Sequence, residues 1–417
     1  MMRRDLTTLV GALSLAGLAG CFGGKDDDDD GDSGDTADTT DGTDGADSSD
    51  GADGADGADG ADGADGADGA DGTDGTTPAG LTALGDPCAG IGPITAMYAP
   101  DASELWIGCG NGAGLWLSGD AGDSFDRAHP SEDLYIFDIK KDSSGRVLAC
   151  GHDYDGAGDG VLLYRYDGSS WTGLLSYGNN SSASNQVYIS NCGQVAEDPS
   201  GGLLVISNTS GDLTVSTDDG RSWTREDRYW EEVNLDGGPQ AYQMMQVLST
   251  SRGIYGSGYN IAQPPTFFSP STDSRAEFYN LAASTVDSGV DGEGWALATT
   301  DDGTTWFMGG RDQSASSRAS GFIYTSADGG RSWSSQTLGA EIDIVRDIAF
   351  DGAGVNGIAV GDRYPPNSLG GFALLTTDGG ATWTELAEDL PADLQRAQVQ
   401  GSDYIIGGNG FLARGSF

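Results

Sequence analysis

The sequence predicts an all-β fold built from repeated four-stranded units, and three observations support this prediction. Glycine contributes 69 of 417 residues, and the apolar runs are short and separated by Asp- and Gly-rich stretches. That composition favours strands and turns over helices. The octamer Ser216–Trp223 (STDDGRSW) recurs along the chain, and the aromatic residues that end its copies are spaced 46 to 55 residues apart. This period fits one four-stranded unit per repeat.

The octamer has the form of a hairpin turn that is tied to a core. Its Asp carboxylate can accept hydrogen bonds from following backbone N–H groups, its Gly can take a positive φ, and its last aromatic residue can pack between sheets. We therefore interpret these residues as structural. In three full copies and one that ends on Phe they are Asp120, Gly122, Asp218, Gly220, Trp223, Asp328, Gly330, Trp333, Asp378, Gly380 and Trp383.

These octamers resemble the Asp-box, or BNR, repeat of sialidase-like β-propellers. The resemblance covers most of residues 80–417. It implies a single β-propeller in which each box joins the third and fourth strands of a blade. The box itself is a structural turn, so the resemblance implies a fold rather than a function. Non-catalytic proteins of this type include photosystem II assembly factors and sortilin-like receptors, and catalytic ones include sialidases and xyloglucanases.

Residues 1–20 have the pattern of a signal peptide. Arg3 and Arg4 precede an apolar run that is too short to span a bilayer. Leu18–Cys21 (LAGC) resembles the lipobox of prokaryotic lipoproteins, which implies cleavage before Cys21 and lipidation of that cysteine. A plain secretory signal with an incidental cysteine is the alternative, and the export route stays open. We expect an exported protein that is anchored in the cell envelope, on the outer membrane or cell surface if the host has two membranes.

Residues 21–78 have the composition of a tether. Gly-Ala-Asp repeats seven times between Gly51 and Asp71, and residues 1–78 hold 21 acidic and three basic side chains. Gly at every third position is shared with collagen, but proline is missing from the repeat. The composition predicts a disordered, self-repelling linker. The linker would separate the anchor from the folded domain at residues 79–417.

Apolar runs divide residues 79–417 into successive units. The first three units contain Ile94–Tyr98, Leu105–Gly108 and Gly114–Leu117; Tyr135–Ile139, Arg146–Gly151 and Val161–Tyr166; and Gln186–Val195, Gly202–Ile206 and Asp212–Val215. The fourth contains Tyr242–Leu248, Gly253–Gly256 and Thr266–Phe268, followed by Ser271–Phe278, which we interpret as a decayed octamer without its Gly. The second octamer is shortened and ends at Trp171, and the fifth and sixth units end at Trp333 and Trp383.

Two features set the predicted number of blades. The octamer Thr299–Trp306 breaks the rhythm, and we interpret it as an accidental match in a turn between the first and second strands of a unit. After Trp383 the chain has three further apolar runs, and Gly80–Leu84 could supply a fourth strand to them. Seven blades closed by joining the two chain ends would leave no free sheet edge. Six or eight blades remain alternatives.

The domain has four cysteines, Cys88, Cys109, Cys150 and Cys192, an even number that suits disulfides in an exported protein. Three pairings are open. Cys109 and Cys150 occupy the same place in successive units, so they should lie a full blade apart. The sequence therefore favours Cys88–Cys109 and Cys150–Cys192.

The charge and the rare residue types exclude several functions. Residues 79–417 hold 44 acidic and 17 basic residues, and only two of the basic ones are lysines, so a nucleic-acid partner is disfavoured. His129 and His152 are the only histidines, which gives no support to a Ser-His-Asp triad or a His-rich metal site. The Phe-Arg-Ile-Pro motif that sialidases carry ahead of their first box is missing between Gly80 and Ser118. We therefore assign no catalytic residue, and glycoside hydrolysis of the sialidase or xyloglucanase type remains the alternative.

The predicted ligand face lies opposite the boxes, where the loops between second and third strands are long. These loops are 152–160, 260–266, 311–321 and 363–371, and their recognition residues are Tyr154, Tyr259, Arg311, Arg318, Arg363 and Tyr364. Aromatic planes with Arg forks suit sugars, carboxylates or peptide termini. We therefore expect a monomeric, non-catalytic binding or scaffold module for a glycan or protein ligand.

One acidic loop is a weak candidate for a metal site. Asp153, Asp155 and Asp159 lie within seven residues that also hold two glycines, somewhat like a calcium loop. The EF-hand pattern is incomplete, and a simple Gly-Asp surface loop is the alternative. Beyond this Ca²⁺ we expect no cofactor.

Overall fold

The computed structural model describes Pro78 and residues 80–417, with internal gaps at 132, 154–159, 177–179, 183–184, 188–191, 199–200, 203, 208–212, 227–240, 262–274, 281–284, 292, 301–302, 313–319, 337, 339–340, 364–369, 387–389 and 391–392. All regular elements in this part of the chain are β-strands. Within it, no helix long and apolar enough to cross a membrane is found.

Seven four-stranded antiparallel sheets and one small hairpin contain the thirty described strands. The first three sheets are β2 (Ile94–Tyr98), β3 (Leu105–Cys109), β4 (Leu115–Ser118) and β5 (Asp126–Arg127); β6 (Leu134–Lys141), β7 (Val147–Asp153), β8 (Val161–Tyr166) and β9 (Trp171–Ser176); and β12 (Gln194–Glu197), β13 (Leu204–Ser207), β14 (Leu213–Ser216) and β15 (Thr224–Glu226). The hairpin is β10 (Asn180–Ser182) and β11 (Asn185–Val187).

The remaining four sheets follow the same order along the chain. They are β16 (Ala241–Thr250), β17 (Gly253–Ile261), β18 (Arg275–Asn280) and β19 (Thr285–Asp291); β20 (Glu293–Thr299), β21 (Trp306–Asp312), β22 (Ser320–Ser326) and β23 (Ser334–Gln336); β24 (Ile342–Phe350), β25 (Gly357–Arg363), β26 (Gly371–Thr376) and β27 (Thr384–Glu385); and β28 (Leu394–Gln400), β29 (Asp403–Gly408), β30 (Phe411–Ser416) and β1 (Thr82–Ala83).

The sheets form a closed ring of blades. The first strand of each sheet contacts the first strand of the next, from β2 through β6, β12, β16, β20 and β24 to β28, and β28 contacts β2 again. These first strands are sheet edges, so the ring places them innermost. The architecture is a β-propeller with seven four-stranded blades among the described residues, as the sequence predicted.

The seventh blade joins the two ends of the domain. Thr82 in β1 pairs with Arg414, and Ala83 pairs with Ala413 in β30. The prediction that Gly80–Leu84 completes the last sheet is confirmed. Because β30 gains a partner, the joint covers an edge that would otherwise offer unpaired backbone groups to another chain.

The apolar core lies between neighbouring blades. Phe307 of the fifth blade packs in one cluster with Ile342 and Phe372 of the sixth, and all three are buried. In the next interface Val360 of the sixth blade packs with Ile406 of the seventh. Each interface is thus a two-sheet sandwich, which explains why both faces of most strands are apolar.

Strand order defines two faces of the ring. The first-to-second and third-to-fourth turns lie at one end of every blade, and we call this end the octamer face because it carries the octamer turns. The second-to-third loops and the connections between blades lie at the other end, which we call the loop face. The turn at Thr299–Trp306 joins β20 to β21, so its interpretation as a first-to-second-strand turn is confirmed.

The fourth blade corrects the sequence prediction. The third strand was expected at Thr266–Phe268, which lies outside the described residues, and Ser271–Phe278 was expected to form a decayed octamer. Instead β18 starts at Arg275 and pairs with β17 along its whole length, from Arg275 to Asn280. The second half of that octamer, residues 275–278, is therefore strand. The missing Gly explains the error, because Arg275 occupies the position at which the other octamers have a Gly with positive φ.

Two disulfides link elements of the first three blades. Cys88 is bonded to Cys109 at the end of β3, with Cα atoms 5.5 Å apart. Cys150 in β7 is bonded to Cys192, with Cα atoms 5.2 Å apart. This is the pairing that the sequence favoured, and all four sulfur-bearing residues are fully buried.

Candidate functional site

The octamer turns are held by a fixed set of hydrogen bonds. In the third blade the Ser216 hydroxyl donates to Oδ1 of Asp218 at 2.9 Å and accepts from the Gly220 N–H at 2.8 Å. Asp218 in turn accepts from the Ser222 N–H at 2.8 Å and from the Ser222 hydroxyl at 2.7 Å. The same bonds recur around Asp120, Asp328 and Asp378. Since both carboxylate oxygens are engaged, these aspartates act within the turn.

The electrostatics of the turns agree with this role. Hydrogen bonds from the following Ser or Thr hydroxyl, foremost among several such bonds, hold the pKa of Asp120, Asp218 and Asp378 at about 2, below the ordinary 3.8. Each turn also docks onto its own blade, since the N–H of Gly379 donates to the Val355 carbonyl of the first-to-second-strand turn at 2.9 Å. The octamers therefore build the octamer face, and their Asp120, Asp218, Asp328 and Asp378 carboxylates serve the turns.

The predicted ligand residues are only partly within the described chain. Arg311 and Arg363 are described and lie at the loop-face ends of β21 and β25. Tyr259 is in β17, without a described side chain. The residues outside the described part are Tyr154, Arg318, Tyr364, Asp155 and Asp159, and Asp153 ends β7 without a described side chain. Among the described residues, no three His, Cys, Asp or Glu side chains are placed to hold a metal ion.

The two described arginines differ in what they can offer a ligand. Arg311 is about one-third exposed, and its Nε lies 2.6 Å from Oε2 of Glu293. Arg363 is buried, forms ion pairs with Glu341 and Glu385, and donates from Nε to the Gly371 carbonyl at 3.3 Å. Arg363 thus fastens the end of the sixth blade, whereas Arg311 borders a larger group of charges.

β-Bulges shape the innermost strands near the loop face. The register shifts between Ile94 and Ala96, between Ile136 and Asp138, and at corresponding places in β16, β20, β24 and β28. A bulge breaks the two-residue alternation and turns an extra side chain away from its expected side. The bulged residues of β20 and β24 include Trp295 and Arg346, which meet across the interface between the fifth and sixth blades.

Trp295 and Arg346 are the centre of a set of charged residues. The guanidinium carbon of Arg346 lies 5.3 Å from the centroid of the Trp295 ring, a cation–π contact. Nε of Arg346 also lies 2.6 Å from Oδ2 of Asp362, and the Trp295 indole N–H donates to Oε2 of Glu293 at 3.2 Å. The indole and two ion pairs thus form one connected network.

Two further carboxylates complete this network. Asp343, at the start of β24, is 7% exposed, and Asp393 precedes β28 and is partly buried. Burial raises the pKa of both carboxyls, and the nearby Asp362 raises it further. We call the whole set the charge cluster, and its members are Glu293, Trp295, Arg311, Asp343, Arg346, Asp362 and Asp393.

Sequence reasoning predicted one member of the charge cluster, Arg311, and missed six. A signal for part of it was present in Ile342–Phe350 (IDIVRDIAF), where Asp343, Arg346 and Asp347 interrupt an apolar strand. The spacing of three between Asp343 and Arg346 departs from the two-residue period of a strand and indicates a bulge. The contact of Arg346 with Trp295 of the preceding blade has no comparable signal, because it depends on how two blades pack.

An aromatic group lies at the loop face of the second blade. The rings of Tyr135 and Phe137 are 4.5 Å apart, and His152 stacks on Tyr135 at 5.3 Å and on Phe137 at 5.7 Å. Phe137 is the bulged residue of β6. The innermost strands therefore bring large side chains to the loop face in two separate blades.

The octamer face contains a cavity of a different kind. Its volume is about 230 Å³, and the residues that line it are Lys140, Lys141, Asp142, Ser143, Leu148, Val195, Ala196, Glu197 and Ser249. Nζ of Lys140 lies 3.1 Å from Asp138 and donates to the Val247 carbonyl at 2.7 Å. Nζ of Lys141 lies 3.3 Å from Glu104. Both ammonium groups are thus neutralised within the protein, and the loop face remains the better candidate for ligand binding.

The fold and the charge cluster together define a β-propeller with a polar, aromatic-bearing site at the loop face. The chain matches no protein-family model, and no curated protein sequence matches it. Among solved structures it is similar to YCF48 from Cyanidioschyzon merolae, with a TM-score of 0.51 and 11% identity, over 81% of this chain and 98% of that chain. It is also similar to YCF48 bound to D1 peptide, with a TM-score of 0.50 and 14% identity, over 81% of this chain and 96% of the other. At these identities the likeness shows the fold alone.

Proposed function

We propose that this chain is an exported, lipid-anchored Asp-box β-propeller that binds a protein or glycan ligand at its loop face without catalysing a reaction. The charge cluster is the observation that carries this proposal. It combines an indole, two guanidinium groups and four carboxylates at the inner ends of neighbouring blades. Loops and strand ends on a rigid scaffold are where binding sites usually form.

Of the two ligand classes, we favour a protein segment. A site for a neutral glycan relies on aromatic faces and uncharged hydrogen-bonding groups, whereas the charge cluster has six ionisable side chains around one indole. Charge of both signs suits the side chains and termini of a peptide. One solved structure of similar fold, YCF48, is bound to a D1 peptide, which supports peptide binding as a use of this fold.

The anchor and the tether give the proposed binder its place. The LAGC sequence that ends at Cys21 supports lipidation, and the Gly-Ala-Asp repeats between Gly51 and Asp71 support an extended linker that repels itself. Residues 22–78 would then hold the propeller away from the membrane while keeping it attached. The function that fits is capture or positioning of a partner in the cell envelope.

A binding screen with a matched pair of variants tests the proposal. The full chain, purified in detergent, is applied to a glycan array and to a random-peptide array, in parallel with Trp295→Ala and Asp123→Asn. Asp123 is exposed in an octamer turn, so its substitution leaves the loop face unchanged. We expect reproducible ligands whose affinity falls at least tenfold in Trp295→Ala and is unchanged in Asp123→Asn. Ligands that bind Trp295→Ala as well as the wild type would refute the assigned face.

Glycoside hydrolysis is a second candidate, and one observation favours it. Glycosidases use a protonated carboxyl group beside an ionised carboxylate. In the charge cluster Asp343 is buried with a raised pKa, and the nearby Asp362 is ion-paired to Arg346. A panel of aryl glycosides tests this alternative. If the wild type hydrolyses a member of the panel and Asp343→Asn does not, the non-catalytic proposal is overturned. An absence of turnover across the panel would support the non-catalytic proposal.

A further inference from the structure

The charge cluster has more negative than positive groups. Its two ion pairs join Glu293 to Arg311 and Asp362 to Arg346. Asp343 and Asp393 form no ion pair with any residue in the described part of the chain. The cluster thus has four carboxylates and two guanidinium groups, and the excess is negative.

Two buried carboxylate oxygens in the cluster lack a hydrogen-bond donor. Asp343 is 7% exposed and Asp362 is 4% exposed, and Oδ1 of each has no partner among the described residues. Arg346 uses Nε and Nη2 on the same oxygen of Asp362, Oδ2, which leaves Oδ1 unpaired. A buried carboxylate oxygen without a donor is costly, because it has lost water and gained nothing in exchange.

A cationic donor would satisfy both oxygens. The negative charge of Asp362 raises the cost of ionising the buried Asp343 unless a positive charge lies nearby. A ligand cation near the two Oδ1 atoms would supply the missing hydrogen bonds and lower that cost. Charge-assisted bonds of this kind are about twice as strong as neutral ones.

The cluster already shows how it would hold such a cation. Arg346 lies against the face of Trp295 and is bonded to the carboxylate of Asp362 at the same time. This is the arrangement in which proteins bind guanidinium and ammonium groups, with an aromatic face on one side and a carboxylate at the end. In the described part of the chain no metal-binding group of three ligands exists, so an organic cation fits the cluster better than Ca²⁺.

We propose that the charge cluster binds a positively charged side chain, an arginine or lysine, of the protein ligand. This inference rests on the proposed function and narrows it to a basic segment of the partner. Oδ1 of Asp343 and Oδ1 of Asp362 accept from the incoming cation, and Trp295 lies beside it. Arg346 remains paired with Asp362 and Arg311 with Glu293, and these ion pairs hold the cluster in its present arrangement.

The test compares peptides that differ in one charge. The probes are Gly-Ser-Arg-Ser-Gly amide, labelled with fluorescein on its N-terminal amine, and the same peptide with citrulline, a neutral analogue of arginine. Binding to the full chain is measured by fluorescence anisotropy at physiological ionic strength. We expect the arginine peptide to bind at least tenfold more tightly than the citrulline peptide, and Asp343→Asn to reduce this ratio to below three.

The controls separate the cluster from the general negative charge of the domain. Asp123→Asn removes one exposed carboxylate from the octamer face and should leave the ratio unchanged. If Asp343→Asn does not fold, as judged by thermal melting, then Trp295→Leu serves as the second variant. Its affinity ratio is also expected to fall below three. Displacement of the peptide by micromolar Ca²⁺ but not by Mg²⁺ would identify a metal site and overturn the inference.

Two results would also overturn it. One is equal affinity for the arginine and citrulline peptides, or no binding of either up to millimolar concentration. The other is an equal fall of the arginine-to-citrulline affinity ratio in Asp343→Asn and Asp123→Asn, which would show that the general negative charge of the domain causes the preference. In either case the proposed function is tested separately by the array screen. That screen would still support it if Trp295→Ala lost the binding of a neutral or acidic ligand.

Discussion

The side chain of Asp347 in the sixth blade accepts a hydrogen bond of 3.0 Å from the backbone N–H of Ala397 in the seventh. The other oxygen of the same carboxylate accepts from the Ile348 N–H at 3.0 Å. Asp138 repeats this arrangement, accepting from the Val195 N–H of the third blade at 3.0 Å. Each of these aspartates therefore gives the next innermost strand a hydrogen-bond partner that its own sheet cannot supply.

Replacing Asp347 should destabilise the ring. Asp347 is 7% exposed, so Asp347→Ala would leave two buried N–H groups without an acceptor. We expect a loss of roughly 2–6 kcal/mol in the free energy of unfolding, from about 1–3 kcal/mol for each of the two stranded groups. Denaturant melts measure it, and Asp347→Asn should lose less because its amide oxygen still accepts one bond. Unchanged stability in Asp347→Ala would show that the link between blades is dispensable.

A side chain at an octamer glycine should be destabilising, for one or both of two separable reasons. Gly380 and Gly168 both have positive φ, +82° and +96°, so alanine strains either position by about 1–2 kcal/mol. At Gly380 an added Cβ would also lie 2.4 Å from Cε1 of the buried Phe307, whereas at Gly168 it would meet nothing within 4 Å. We expect Gly380→Ala to cost about 1–3 kcal/mol more than Gly168→Ala, because overpacking adds to strain. Similar thermal shifts in the two variants would mean that the neighbouring blade moves aside.

Acid should act on this domain in two opposite stages. Burial raises the pKa of Asp343 and Asp393 above 3.8, so protonating them on mild acidification relieves the cost of buried charge and adds stability. The octamer aspartates, among them Asp218 and Asp378, have pKa values near 2 in the fold. Their stabilisation is complete above 3.8 and is lost as the pH falls toward about 2. Melting temperatures recorded from neutral pH down to pH 2 check this.

A variant distinguishes the two groups. In Asp218→Asn the loss of melting temperature between pH 4 and pH 2 should be smaller than in the wild type, because one depressed carboxyl no longer titrates. In Asp343→Asn the gain on mild acidification should shrink instead. The prediction fails if the melting temperature of both variants follows that of the wild type over the whole range.

The anchor can be tested without reference to the fold. If cleavage before Cys21 leaves a lipidated N-terminus, Cys21→Ser should move the protein from the membrane fraction to the soluble exported fraction. Cell fractionation followed by immunoblotting measures the shift, with Cys88→Ser as a control that removes a domain cysteine and should not change membrane attachment. Cys21→Ser protein that stays with the membranes would contradict the lipoprotein proposal.

Part of this protein can be predicted from the sequence alone because its signals are local. The bonds of an octamer lie within eight residues, so Asp218, Gly220 and Trp223 identify a turn without knowledge of the rest of the chain. The period of the octamers then gives the blades, and the three apolar runs after Trp383 require a fourth strand, which β1 supplies. The assignment of loops and turns to two faces follows from antiparallel order.

The prediction failed where the local signal was weak. In the fourth blade the decayed octamer ending at Phe278 kept its Ser, Asp and aromatic, and only the missing Gly indicated that no turn forms there. The pattern of apolar residues could not reveal this error. The side-chain types in this stretch are compatible with either a strand or a turn, and the two differ in backbone conformation. The backbone pairing of β18 with β17 decided it.

The candidate site was decided by tertiary structure. Trp295 and Arg346 are 51 positions apart and lie on strands of different sheets, and they meet because bulges turn both side chains out of register where two blades pack. Sequence placed Arg311 at this face but could not show that Glu293 neutralises it. Local hydrogen bonding thus determined the turns, their period and the ring. Packing between blades determined which charges are paired and which buried carboxylate oxygens, among the described residues, have no hydrogen-bond donor.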